Sequence, residues 1–187
     1  MEQHQKQIFY KSAFVAGTAF GTLNFVLNII NGYLTLGLDP NANPVLNIST
    51  YGPIFICLIS LGGGLVGTWL YAKNCDLPLK VGQGAGLGAV TGFAMVIVAL
   101  VLDLIWSVIN PEFYDNIFKH MITIIENSEM PREQQQMFTD QLYTSTKSKF
   151  SLSSIFFNIL GGSFMALLNA LTGMLGVKLY INEPDEF

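Results

Sequence analysis

Four stretches of this sequence run with almost no charge, at roughly 11–38, 51–72, 81–109 and 152–180. An α-helix rises about 1.5 Å per residue, so about 20 residues cross the ~30 Å hydrocarbon layer of a bilayer, and each stretch is long enough. A soluble four-helix bundle would need a charged outer face on every helix. None of the four stretches has one, and 51% hydrophobic residues against 12% charged leave lipid as the medium that meets those surfaces. The expected fold is an all-α integral membrane bundle of about four transmembrane helices, one domain over 1–187.

Lys6 and Lys11 precede an apolar stretch that begins at Ala13, as in a secretory signal. That stretch is too long for a signal core and no small-x-small cleavage site follows, so it reads as a retained first span. Lys6, Lys11, Lys73, Lys80 and Lys178 flank the spans on one side. The positive-inside rule makes that side cytoplasmic, with both termini inside, and turns the loops at 39–52 and 110–150 outward. Lys119, Arg132, Lys147 and Lys149 in the longer loop weaken the count without reversing it.

The 110–150 loop has a pattern of its own. Asn110-Pro111-Glu112 reads as a helix start, with Asn110 as N-cap, Pro111 in the first helical position and a carboxylate near the positive helix end. Tyr114, Ile117, Phe118, Met121, Ile124 and Ile125 then recur at helical spacing to about Asn127. A second helix starting between Ser128 and Pro131 carries Phe138 and Leu142 on a narrower stripe. An external amphipathic helical hairpin over about 111–148 is expected, covering the bundle end or docking a partner.

Small residues recur along one face of each span. Gly84, Gly88 and Gly92 stand four apart, the spacing of a glycine zipper, and Gly17 with Gly21, Gly63 with Gly67, and Gly162 with Ala166 and Ala170 repeat the device. Without side chains in the way, helix backbones approach closely, so these positions predict tight helix packing and a compact bundle or a homo-oligomer. The run VGQGAGLGA is not a dinucleotide loop, because a lipid-compatible helix follows it and no strand precedes it.

Polar residues inside the spans are few. Asn24, Asn28 and Asn31 continue the Gly17 and Gly21 face, and Asn158 and Asn169 lie on the last span. Carboxamides in hydrocarbon need partners, so these side chains either join helices or line a polar pathway. Asp103 is the one ionisable residue well inside a span, eleven residues after Gly92 and hence on the same face. An intramembrane carboxylate is a candidate proton or cation site, unless it reaches interfacial water six residues before Ile109.

Several function classes find no support. The net charge of −4 and a single arginine, Arg132, give no nucleic-acid patch. Cys57 and Cys75 have no metal or redox spacing, and His4 and His120 read as solvent-facing residues without ligand partners. Trp69, Tyr71 and Trp106 near span ends fit an aromatic belt. Neither an HExxH nor a GxSxG motif occurs, the Glu126 and Glu129 pair belongs on an exposed helix end, and Asn47-Ile48-Ser49 is a chance glycosylation pattern near the membrane surface. No catalytic residue, cofactor or metal is expected.

The segment NPEFYDNIFKHMITIIENSEMPREQQQMF, followed by a linker and a Gly-rich last span, resembles a bacterial family of four-span membrane proteins, domain-of-unknown-function family 4199. The end Asn182-Glu183-Pro184-Asp185-Glu186-Phe187 departs from the lysine-rich end of that family. The resemblance implies a bacterial inner membrane and this order of helices, and it supplies no binding residues. The leading expectation is a non-enzymatic accessory, scaffold or assembly subunit that packs in lipid with itself or with other membrane subunits. The alternative is a small proton- or cation-coupled transporter or channel that uses Asp103, with Asn24, Asn28 and Asn31 along the route.

Overall fold

The computed structural model describes residues 3–39, 48–75, 77–128, 130–147 and 152–180, with side-chain detail except at 48, 144–147 and 152–159. Expectations at Asn47, Glu129, Lys149, the Asn158 side chain and 182–187 lie outside the described residues. The described regular structure is helical throughout: α1 (Gln3–Leu36), α2 (Ile48–Ser60), α3 (Gly62–Asn74), α4 (Val81–Ile109), α5 (Glu112–Glu126), α6 (Arg132–Lys147) and α7 (Leu152–Tyr180). Four helical segments are long and apolar enough to cross a membrane: α1, Ser49–Asn74, α4, and Leu160–Tyr180 within α7. The chain is an all-α bundle of membrane-spanning helices, with α5 and α6 forming a hairpin between the third and fourth spans.

The helix α1 starts well before its apolar stretch. Phe9 is buried among Ala13, Tyr71, Leu79, Leu87 and Val177, and Gln5 Nε2 donates to the Tyr71 hydroxyl at 2.9 Å. Those contacts hold a polar first turn against the bundle, which hydropathy alone does not show. The second span is broken at Leu61 into α2 and α3, where the sequence reads Ser60-Leu61-Gly62-Gly63-Gly64. Glycine is a poor helix former because it loses the most backbone freedom. One amide at the start of α3 turns to another helix: Gly64 N–H donates to Asn169 Oδ1 of α7 at 2.8 Å, and Asn169 Nδ2 donates to the Met165 carbonyl at 3.0 Å.

The hairpin start also corrects an expectation. Asn110 is not the N-cap of α5; it closes α4, its N–H donating to the Trp106 carbonyl at 2.8 Å, and Pro111 takes the N-cap position without a side-chain cap bond. Only two residues separate α4 from α5, so Asn110 is engaged by the helix it ends.

Around the bundle the order is α1, α4, α7, α3, and α3 also touches α4 across it. The closest approach is between α4 and α7. A Cβ on Gly84 would meet the Gly173 carbonyl at 2.8 Å, one on Gly92 would meet Ala166 Cα at 2.7 Å, and one on Gly88 would strike the Asn169 carbonyl. On α1, a Cβ on Gly17 would meet Ala94 of α4 at 2.6 Å, and one on Gly21 would meet the Met95 carbonyl at 2.6 Å. In α3, Gly63 faces Asn169 and Gly67 faces Leu87, while Thr68 donates to the Gly64 carbonyl at 2.9 Å and the Gly173 carbonyl at 3.2 Å. The hydroxyls and amides here are satisfied by backbone, as a lipid setting demands.

Asn169 is fully buried. Asn169→Leu removes the acceptor for Gly64 and places a branched side chain against Gly63. An interhelical hydrogen bond in a membrane protein contributes about 1 kcal/mol, so a melting temperature lower by roughly 2–4 °C or more is expected in detergent.

Candidate functional site

Packing is unequal along the bundle. At the end holding the N-terminus, the α3–α4 turn and the C-terminal end of α7, the core of Phe9, Ala13, Tyr71, Leu79, Leu87 and Val177 closes the interior. At the hairpin end α2 leans on α1 and, less, on α3, with no comparable contact to α4 or α7 among the described residues. A gap follows from that lean.

The gap is a crevice in two parts. The deeper part, of about 320 Å³, is walled by all four spans, among them Asn24 and Asn28 of α1, Cys57 of α2, Met95 and Asp103 of α4, and Gly162 of α7. The outer part, of about 580 Å³, lies beneath α5 and includes Asn28, Asn31, Thr35, Ser49, Asp103, Ile117 and Met121. Asn28, Pro53 and Asp103 line both, so the two adjoin at these residues.

The amide stripe of α1 is therefore a wall, and its side chains are held in place. Asn24 Nδ2 donates to Ser60 Oγ at 2.8 Å beside the helix break, and Ser60 in turn donates to the Ile56 carbonyl at 2.7 Å. Asn28 Nδ2 donates to Asn24 Oδ1 and to the Asn24 carbonyl, both at 2.9 Å. Asn31 lies against Gly52 at the start of α2, where any side chain would collide with it.

Asp103 is partly buried and accepts a hydrogen bond at Oδ1 from the Tyr114 hydroxyl at 2.9 Å. Neither part of the crevice is lined by Lys, Arg or His among the described residues. A carboxylate with a phenol but no cation beside it presents unbalanced negative charge where low dielectric strengthens the field. That arrangement attracts a proton or another cation and repels anions. Among the described residues, no group of His, Cys, Asp and Glu is placed to hold a metal ion.

Burial and the Asp103 hydrogen bond both push the Tyr114 phenol up from the ordinary tyrosine range. The folded protein then holds a proton that the unfolded chain releases above about pH 10, so stability is full below that pH and falls as pH rises through it. Tyr114→Phe is expected to lessen the alkaline loss, measured as melting temperature between pH 8 and pH 11 against wild type.

Asp103, Asn24, Asn28 and Asn31 come together at the crevice, whereas Gly17, Gly21, Gly63, Gly67, Gly84, Gly88, Gly92 and Ala166 lie in helix contacts. Gly162 borders both, with Val96 at 3.1 Å from a Cβ built on it. Sequence reasoning missed Tyr114 as the partner of Asp103 and Gly173 as a packing position. The first had a usable signal, since a two-residue turn folds α5 back over the end of α4. His120 differs from its expected solvent-facing position: it is partly covered, and its Nε2 is buried without a partner among the described residues. His4 is exposed.

A family model described as a protein of unknown function (DUF4199) matches residues 16–176, and the chain belongs to that family. Comparison with curated proteins and with solved structures gives no match.

Proposed function

We propose that this member of the DUF4199 family is a small, non-enzymatic carrier that admits a proton or a cation to Asp103 from the hairpin side of the membrane. The observation that carries this reading is the two-part crevice, which leads past Asn31 and Asn28 to Asp103 and on to Asn24. The opposite end is packed shut around Tyr71 and Leu87, which favours a route that opens on one side at a time over a continuous pore. Lys6, Lys11, Lys73, Lys80 and Lys178 stand at the closed end, which supports a cytoplasmic location for that end, and the family resemblance supports a bacterial inner membrane.

The second reading is an accessory, scaffold or assembly subunit. It is favoured by α6, which packs on α5 and leaves Met137 and Phe138 exposed. Homo-oligomerisation through the glycine zipper has less support, because Gly84, Gly88 and Gly92 are occupied by α7 of the same chain.

The deciding experiment is flux. Purified protein in proteoliposomes with an imposed proton or monovalent-cation gradient is expected to dissipate it faster than empty vesicles. Dissipation no faster than empty vesicles, for protons and for cations alike, overturns the transport reading.

A further inference from the structure

The outer part of the crevice is divided by polarity. Its polar lining carries Asp103, Asp39, Asn28 and Asn31, and its roof is the apolar face of α5 with Ile117, Met121 and Ile124. An inorganic cation needs the polar lining alone. At about 580 Å³ the space falls within the usual range of small-molecule sites, where an apolar lining takes most of the ligand and a few polar groups orient it.

We infer that the crevice binds an amphipathic organic cation, with its ammonium group on Asp103 and its apolar body under α5. This rests on the proposed cation site at Asp103 and names the class of substrate for it. An ammonium N–H finds acceptors in the carboxylate and in the Asn28 amide oxygen, whereas a neutral alcohol leaves the carboxylate charge unmatched. A phosphate finds no cation among the described residues, since no Lys, Arg or His is among those that line the space. That disfavours a zwitterionic lipid headgroup and favours a free amine.

The roof is held over the polar lining by specific contacts. Besides the Tyr114 bond to Asp103, Phe113 is buried beside Gly32, where a Cβ would meet its ring at 2.6 Å, and its ring meets Trp106 edge-on at 5.9 Å. An ammonium on Asp103 can take the second carboxylate oxygen while the Tyr114 hydroxyl keeps Oδ1, so both groups orient on the same carboxylate.

The test is titration of the purified protein in phosphatidylcholine nanodiscs with 2-phenylethylammonium. Ethylammonium serves as the headgroup without a body, and 3-phenylpropan-1-ol as the body without a charge. Saturable binding of 2-phenylethylammonium is expected, with ethylammonium weaker by about tenfold or more and the alcohol not binding, since burying an apolar group of this size contributes at least that factor. Asp103→Asn should abolish binding, and Met121→Asn should weaken 2-phenylethylammonium by about tenfold while changing ethylammonium binding by less than about twofold. Equal affinity for both ammonium ions, or no effect of Met121→Asn, overturns the inference and leaves the cation-site reading standing if flux still depends on Asp103. Loss of 2-phenylethylammonium binding when phosphatidylethanolamine is added to the nanodisc assigns the site to lipid and also overturns it. Absence of binding by any probe, together with flux that does not depend on Asp103, removes both.

Discussion

Gly88→Ala is expected to lower the melting temperature of the purified protein by roughly 3–10 °C, and Gly88→Leu to leave little folded protein to purify. A Cβ at this position strikes the Asn169 carbonyl and lies 3.0 Å from Ala170 Cα, so the obstacle is backbone, which cannot rotate out of the way. The helices α4 and α7 must separate, and the strain spreads to Gly84 against Gly173 and Gly92 against Ala166. Overpacking a close contact costs about 1–3 kcal/mol for a single added group and more for a branched side chain. Gly161→Ala supplies the opposite sign. A Cβ there meets nothing within 4 Å, so the better helix propensity of alanine is expected to leave stability equal or raised by up to ~1 kcal/mol. Thermal melting of the two variants in the same detergent separates helix packing from any general intolerance of substitution in these spans.

Asp103→Asn is expected to reduce flux to the level of empty vesicles while moving the melting temperature by no more than about 3 °C. The amide is nearly isosteric and can still accept from Tyr114, so the contact between α4 and α5 survives. What it loses is the negative charge, and with it the reason for a cation to leave water. An uncompensated carboxylate in a low-dielectric site stabilises the fold little, because no cation pairs with it among the described residues. Loss of flux with loss of fold would instead make Asp103 a structural residue.

The sequence made the spans legible because hydropathy reports the solvent a helix faces. The segments apolar enough to cross a membrane in α4 and α7, Val81–Ile109 and Leu160–Tyr180, fall within apolar runs of the sequence. The break at Leu61 was not legible from hydropathy, which stays high through Ser60-Leu61-Gly62. Beside it Asn169, over one hundred residues away, takes the Gly64 amide. Likewise Asn24, Asn28 and Asn31 were legible as a stripe on one helix. Whether such a stripe joins helices or lines a space depends on how far α2 leans from α4 and α7, which is a property of packing. Both readings apply here: Asn24 ties α1 to Ser60 and also faces the crevice. Asn110 misled because cap chemistry suits either end of the two-residue turn, and the α4 ladder claimed its N–H.

The proposed route requires water to reach Asp103 and the depth of Cys57 from the hairpin end. Cys57 and Cys75 are both free thiols, and Cys57 lines the deeper crevice. In a Cys75→Ser background, a membrane-impermeant cationic methanethiosulfonate reagent is applied to sealed vesicles of each orientation, and mass spectrometry reads modification of Cys57. Modification from the hairpin side alone is the predicted result. No modification from either side, with full reaction after denaturation, would contradict an accessible crevice and the function built on it.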